Sequence, residues 1–213
     1  MSEAIIEHIV LVKIKDNTDP SKINSMINAL HALNSLDGVL HLTAGPIHTI
    51  IRSPSFNFTH MLHGRYKSKN DLRSYSLHPE HLSVANDIVN PICDDIMVLN
   101  WVAHLHGPIV PPVGAVMRVS FFKLQEDVLK IVGGIKDHYS GSNVQITFGE
   151  NFSPAKAKGF SIGSLVIFPG FSELEAFDLN EKVSGLLESV IILDYVIHPP
   201  QSTTLSKYFS PRL

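Results

Sequence analysis

The 213 residues include a single cysteine, Cys93, so no disulfide can form within the chain. A reducing compartment suits such a sequence, and Cys93 reads as a small buried residue rather than a nucleophile. Charged residues are also scarce, at 17% against 44% hydrophobic residues, which excludes a disordered chain. The formal charge of −3 leaves no basic stripe for a phosphate backbone, so nucleic acid is not expected as a partner. No window holds the ~18 uninterrupted apolar residues of a bilayer span, so no membrane partner is expected either. A Gly-x-Gly-x-x-Gly phosphate loop is missing, which leaves nucleotide binding without support. The acidic Met1-Ser2-Glu3-Ala4 runs straight into strand-like sequence, unlike a signal or transit peptide.

What is present is a duplication. The run from Ile96 to His104 places Leu99, Asn100, Trp101 and His104 where the run from Val190 to His198 places Leu193, Asp194, Tyr195 and His198. The segment His8–Ile14 matches Arg118–Leu124, and Phe58-Thr59-His60 matches Phe160-Ser161-Ile162. Leu72, Tyr75 and Leu77 match Leu174, Phe177 and Leu179. Apolar positions persist while polar ones change: His8, His60, His78 and His81 stand opposite Arg118, Ile162, Asn180 and Val183. Chemistry confined to the first copy is the simplest account.

Two units of about 100 residues are a common domain size. The expected division is a first domain over 1–106, a proline-stiffened linker over 107–114, a degenerate second domain over 115–198 and a tail over 199–213. In the first unit Ile6, His8, Val10, Val12 and Ile14 alternate along one strand face, with Ile9, Leu11 and Lys13 on the other. Asp19-Pro20 opens a helix whose apolar stripe runs from Ile23 to Leu33. Asp37-Gly38 ends it before a strand over 39–44, a loop over 45–56 and a strand over 57–66. Ser68-Lys69-Asn70-Asp71 resembles a capping box for a second helix, and 94–105 forms a last strand. The second unit repeats this as strand 115–124, helix 125–137, strands 143–149 and 159–168, helix 171–187 and strand 189–198. The order βαββαβ is ferredoxin-like. Two such α+β sheets facing each other would form an α/β barrel within one chain. Gly149 and Gly163 read as turn and strand-bulge residues, and Arg65 as a solvated strand-end charge.

Ten of the twelve histidines fall in residues 1–106. The richest cluster is Tyr75-Ser76-Leu77-His78-Pro79-Glu80-His81, in which Pro79 ends one helical segment at His78 and sets His81 in the first turn of the next. Three readings compete for these histidines: a core residue satisfied by a carbonyl or a tyrosine, a metal ligand, or part of a small-molecule pocket in which tyrosine and histidine perform acid–base chemistry. His78-x-x-His81 lacks a converging third ligand for zinc.

These motifs resemble a known family. Glu7-His8-Ile9-Val10-Leu11-Val12-Lys13-Ile14-Lys15, Phe58-Thr59-His60 and Tyr75-x-x-His78-Pro79-x-His81 are similar to the stress-responsive dimeric α/β-barrel (Dabb) proteins of plants, over residues 5–105. Phe58 and Ile14 depart from the family's tyrosine and phenylalanine. The resemblance implies a stress- or defence-related protein that binds a small hydrophobic carbonyl or phenolic ligand and pairs as a homodimer. A polyketide cyclase among the members implies an intramolecular aldol reaction, with His81 as general base, Tyr75 as hydrogen-bond donor and His8, His60 and His78 around the ligand. That chemistry demands no cofactor. A non-enzymatic scaffold or antifungal protein with structural histidines is the alternative. The resemblance further implies a magnesium ion on backbone carbonyls of Leu33, Leu36, Asp37 and Val39, at the negative end of the first helix. Finally, Pro211-Arg212-Leu213 is similar to the peroxisomal Ser-Lys-Leu address, which implies a peroxisomal rather than a cytoplasmic location.

Overall fold

Alternation along the first strand decides which way its sheet faces. In the computed structural model, residues 3–53, 56–123, 133–134, 143–177 and 190–199 are described. Strand β1 (Glu3–Ile14) sends Ile6, Val12 and Ile14 into one apolar cluster and Ile5, Ile9 and Leu11 into another, because successive side chains leave a strand on opposite faces. Helix α1 (Pro20–Ala32) starts where the Asp19 carboxylate accepts the Ser21 amide at 2.8 Å. A 3-10 turn over Leu33–Ser35 and Gly38, at φ +82°, lead into β2 (Val39–Pro46).

Strands β3 (Thr49–Arg52) and β4 (His60–Tyr66) follow, then α2 (Lys69–Leu77), capped by Ser68, whose hydroxyl accepts the Asp71 amide. His78 closes α2 and opens α3 (Pro79–Ser83). A π turn over Val84–Val89 and a 3-10 turn over Asn90–Ile92 bring the chain to β5 (Cys93–Leu105). The second half supplies β6 (Val116–Phe122), β7 (Gln145–Glu150), β8 (Ile162–Phe168), α4 (Phe171–Glu175) and β9 (Val190–Val196). The expected helix over 125–137, apart from 133–134, the end of the helix over 171–187 and the tail from 200 with Pro211, Arg212 and Leu213 lie outside the described residues.

The first sheet runs β2-β4-β1-β5, and the second repeats that order as β7-β8-β6-β9 with β3 added beyond β9. These are two ferredoxin-like units forming an α/β barrel within one chain. Its interior is an apolar cluster drawn from both sheets, including Leu11, Leu99, Trp101, Met117, Phe121, Leu165 and Leu193. Two further clusters lie on the outer, helix-bearing faces.

Three expectations are corrected. The loop over 45–56 contains β3, which pairs antiparallel with β9; its partner strand lies about 140 residues away, so nothing local announces it. Gly149 and Gly163 sit opposite each other in a regular ladder, not in a turn and a bulge. A Cβ on Gly163 would lie 2.5 Å from Trp101 Cε3, so the glycines make the space that the indole fills. Arg65 is fully buried inside the barrel rather than solvated.

Candidate functional site

His8, on β1, and Asn100, on β5, are directly paired in register, and both point to the helix-bearing face. His8 Nδ1 donates to Asn100 Oδ1 at 2.5 Å, which leaves Nε2 as the unprotonated acceptor. Burial lowers the His8 pKa to about 4, so the ring is neutral at physiological pH. Tyr66 and Tyr75 stand over this imidazole edge-on, at ring-centroid distances of 5.8 and 6.5 Å. The two phenols are 5.0 Å apart. His81 completes the row 4.6 Å from Tyr75.

His81 Nδ1 donates to the Ser76 carbonyl at 3.1 Å, so its Nε2 lone pair is free. Burial holds its pKa below the ordinary value against that hydrogen bond, and Lys156 from the second half lowers it further. Burial also pushes the Tyr75 phenol well up, which makes it a neutral donor. The site therefore presents two neutral imidazole acceptors and a phenolic donor. That set can remove a proton from a weak carbon or oxygen acid and stabilise the resulting oxyanion.

His8, Tyr75 and His81 are brought together, with His78 next to them, while His60 stands apart. The His78 amide donates to the Tyr75 carbonyl at 3.1 Å, and after burial the His78 charge also lowers the His81 pKa. His60 faces Val12 across the β1–β4 ladder, four positions from Gly64, which faces His8. At the rise of a strand that is about 13 Å. His60 Nδ1 bonds Thr59 Oγ1 instead, at 2.9 Å. His78 is occupied as a cap, its Nδ1 accepting the Glu80 amide at 3.3 Å. Leu33, Leu36, Asp37 and Val39 line the turn from α1 to β2. The carbonyls of Leu33 and Leu36 already accept the Leu36 and Val39 amides, leaving each its second lone pair for a cation. Among the described residues no cluster of three or more His, Cys, Asp or Glu is arranged to hold a metal. Cys93 is half-buried, and its burial raises the thiol pKa, as befits a structural residue.

A second buried polar cluster faces the barrel interior. Glu7 accepts from Arg65 Nη2 at 3.0 Å, from His63 Nε2 at 2.6 Å and from Thr147 Oγ1 at 3.1 Å. Burial would raise the Glu7 carboxyl, but Arg65 and His63 outweigh it and hold the pKa at about 2. Arg65 continues to Gln145 at 2.7 Å and to the Ile109 carbonyl at 2.6 Å, fastening the first sheet to the second and to the linker. The alternation that puts Glu7 on the Ile5–Ile9 face carried this signal; the charge at the end of β4 obscured it.

The second half rebuilds the same constellation without its chemistry. Arg118 and Asp194, the counterparts of His8 and Asn100, form a bidentate ion pair at 2.8 and 2.9 Å. Phe168 and Phe177, the counterparts of Tyr66 and Tyr75, pack with centroids 5.1 Å apart. Asn100 and Tyr66 escaped the sequence reading, although aligning the two halves pairs them with Asp194 and Phe168 and marks both as changed.

Residues 6–103 match the stress responsive A/B barrel domain. The chain is 45% identical to a stress-response A/B barrel domain-containing protein of Arabidopsis thaliana, over 91% of this chain and 79% of that one. It is 40% identical to a second protein so described from the same plant, over 90% of this chain and 96% of that one. The chain belongs to the stress-response A/B barrel family. Its double-unit layout is similar to that of solved candidate monooxygenases from Fusobacterium nucleatum, with TM-score 0.64 and 8% identity over 93% of this chain and 94% of that one, and from Lactobacillus acidophilus, with TM-score 0.57 and 15% identity over 90% and 93%. At those identities the likeness is one of fold. As an A/B barrel protein the chain has a general role in stress response.

Proposed function

We propose that the first half of this stress-response protein binds a small hydrophobic carbonyl or phenolic compound against His8, Tyr75 and His81, and acts on it by acid–base chemistry. The observation that carries this reading is the His81 tautomer: its Nδ1 proton is committed to the Ser76 carbonyl, and Nε2 is left free beside the Tyr75 phenol. With a 1,3-dicarbonyl compound, Nε2 would take a proton from the carbon between the carbonyls while Tyr75 donates to the enolate oxygen. If a second carbonyl of the same molecule lies within reach, the enolate carbon attacks it. A carbon–carbon bond forms, and the new alkoxide recovers the proton from the imidazolium. The ring closure would be a cyclase-like aldol reaction needing no cofactor, with proximity supplying much of the acceleration.

The test is a thermal-shift screen of wild type and His81→Ala against phenols, acyl thioesters and poly-β-ketone analogues, followed by a turnover assay on any compound that binds. A compound that binds the folded state raises the melting temperature by mass action. A shift that disappears in His81→Ala while the unliganded stability stays within about 1 kcal/mol supports the reading. A variant that loses stability but has no ligand response to lose supports a structural histidine and a scaffold role. The terminal Pro211-Arg212-Leu213 further suggests that the protein acts in peroxisomes; an N-terminal fluorescent fusion that leaves peroxisomes when Leu213 is deleted would bear this out.

A further inference from the structure

Tyr66 carries a hydroxyl that the fold does not require. The side chain is fully buried, and its oxygen makes no hydrogen bond of acceptable geometry. Such a group costs stability unless a partner meets it. Its ring packs on Tyr75 at 5.0 Å, and the matching pair in the second half, Phe168 and Phe177, packs at 5.1 Å with no hydroxyl on either ring. One chain thus shows the same aromatic contact made with and without oxygen, so packing does not explain the phenol at position 66.

The neighbouring sequence is adjusted to it. A Cβ on Gly64 would lie 3.1 Å from both Cε2 and the hydroxyl oxygen of Tyr66. The second half has Val166 at the position matching Gly64, beside a phenylalanine. Glycine in a strand interior weakens the strand, and here it gives the tyrosine oxygen its place. Gly64 also lies opposite His8 in the ladder, so the oxygen is held inside the row of His8, Tyr75 and His81.

We infer that Tyr66 is a positioning residue for the site, whose hydroxyl donates to the Tyr75 oxygen when Tyr75 donates its own proton to a ligand oxygen. The inference rests on the reading that this row binds a carbonyl or phenolic compound. A donor hydroxyl that is itself hydrogen-bonded through its oxygen is polarised and donates more strongly. Tyr66 is too deeply buried to meet the ligand, so it acts through Tyr75. Burial raises both phenols, which keeps both hydroxyls protonated and able to donate.

The experiment measures the affinity of 4-nitrophenolate for the full chain by absorbance titration, at one alkaline pH where the free probe is ionised. Wild type, Tyr66→Phe, Tyr75→Phe and the double variant are compared. Tyr66→Phe should weaken binding about three- to tenfold, the range of a single net hydrogen bond, while the unliganded melting temperature stays level or rises. In the Tyr75→Phe background the same substitution should change nothing, because the relay has lost its middle member. Equal losses in both backgrounds, or no loss in either, would overturn the relay and leave the binding site standing. No binding of the probe by wild type would overturn the site itself together with the relay.

Discussion

Asn100 fixes His8: the amide oxygen of one takes the Nδ1 proton of the other at 2.5 Å across adjacent strands. The bond sets the tautomer, and burial keeps the ring neutral down to a pKa of about 4. The second half solves the same register position with charge, Arg118 on Asp194. A neutral acceptor in one half and a satisfied ion pair in the other is a chemical division of labour between two copies of one fold.

The buried histidines predict an acid-sensitive stability. Unfolded, a histidine titrates near 6.5, whereas His8 titrates at about 4 and His41 at about 3 once folded. Between those values the unfolded chain binds protons that the folded chain does not, so stability falls as the pH drops below about 6.5. At pH 5 the His8 share is on the order of 2 kcal/mol. Glu7 acts lower: its stabilisation is present above 4.5 and is lost as the pH falls towards about 2. Urea midpoints at pH 7.5 and pH 5 should therefore differ clearly, and equal midpoints would contradict neutral buried rings.

The strand order outside β3, the first half's two main helices and the duplication were legible because they rest on local periods of two and 3.6 residues and on apolar positions shared by both halves. So was the break at Pro79, which sets His78 as the cap between α2 and α3 and turns His81 towards Tyr75. What escaped depends on the other half of the chain. Strand β3 exists because β9 offers it an edge. Arg65 is buried because Glu7, Gln145 and the linker carbonyls satisfy it. Gly163 is small because Trp101 arrives from β5. Each of these contacts joins residues far apart in sequence, which no window of neighbours displays.

Glu7→Gln should be among the most damaging substitutions in the molecule. It removes the charge that balances Arg65 in a fully buried setting, and breaking such a pair typically costs about 3–5 kcal/mol. Adding Arg65→Met to Glu7→Gln should recover part of the loss, since the stranded cation is then gone. Chemical denaturation of both variants checks this; a loss below about 1 kcal/mol for Glu7→Gln would mean that water reaches the cluster.

Gly163→Ala tests the barrel interior. The new methyl would lie 2.5 Å from Cε3 and Cζ3 of Trp101, which is fully buried. Overpacking of this kind costs about 1–3 kcal/mol or more. Because Trp101 is the single tryptophan, its emission reports directly on any displacement. An unshifted spectrum with unchanged thermal stability would refute the packing of the indole on that glycine.

The second half has lost the site's chemistry, yet it holds the strand on which the site is built. The Asn100 amide donates to Asn151 Oδ1 at 3.0 Å, and the Asn100 carbonyl accepts from the Phe152 amide at 3.0 Å. The residue that orients His8 is thus gripped through its backbone by the connection between β7 and β8. Asn151→Ala strips the Asn100 amide of its partner, at a cost of about 1–3 kcal/mol. It should also diminish any ligand-induced rise in melting temperature at the His8–Tyr75–His81 row. Asp95→Asn is the control: it removes the pair with Lys158 of the same connection, 2.7 Å long but partly exposed, and should cost no more than about 1 kcal/mol with the ligand response intact. Equal effects of the two substitutions on ligand response would show that the connection acts by general docking of the halves, not through Asn100.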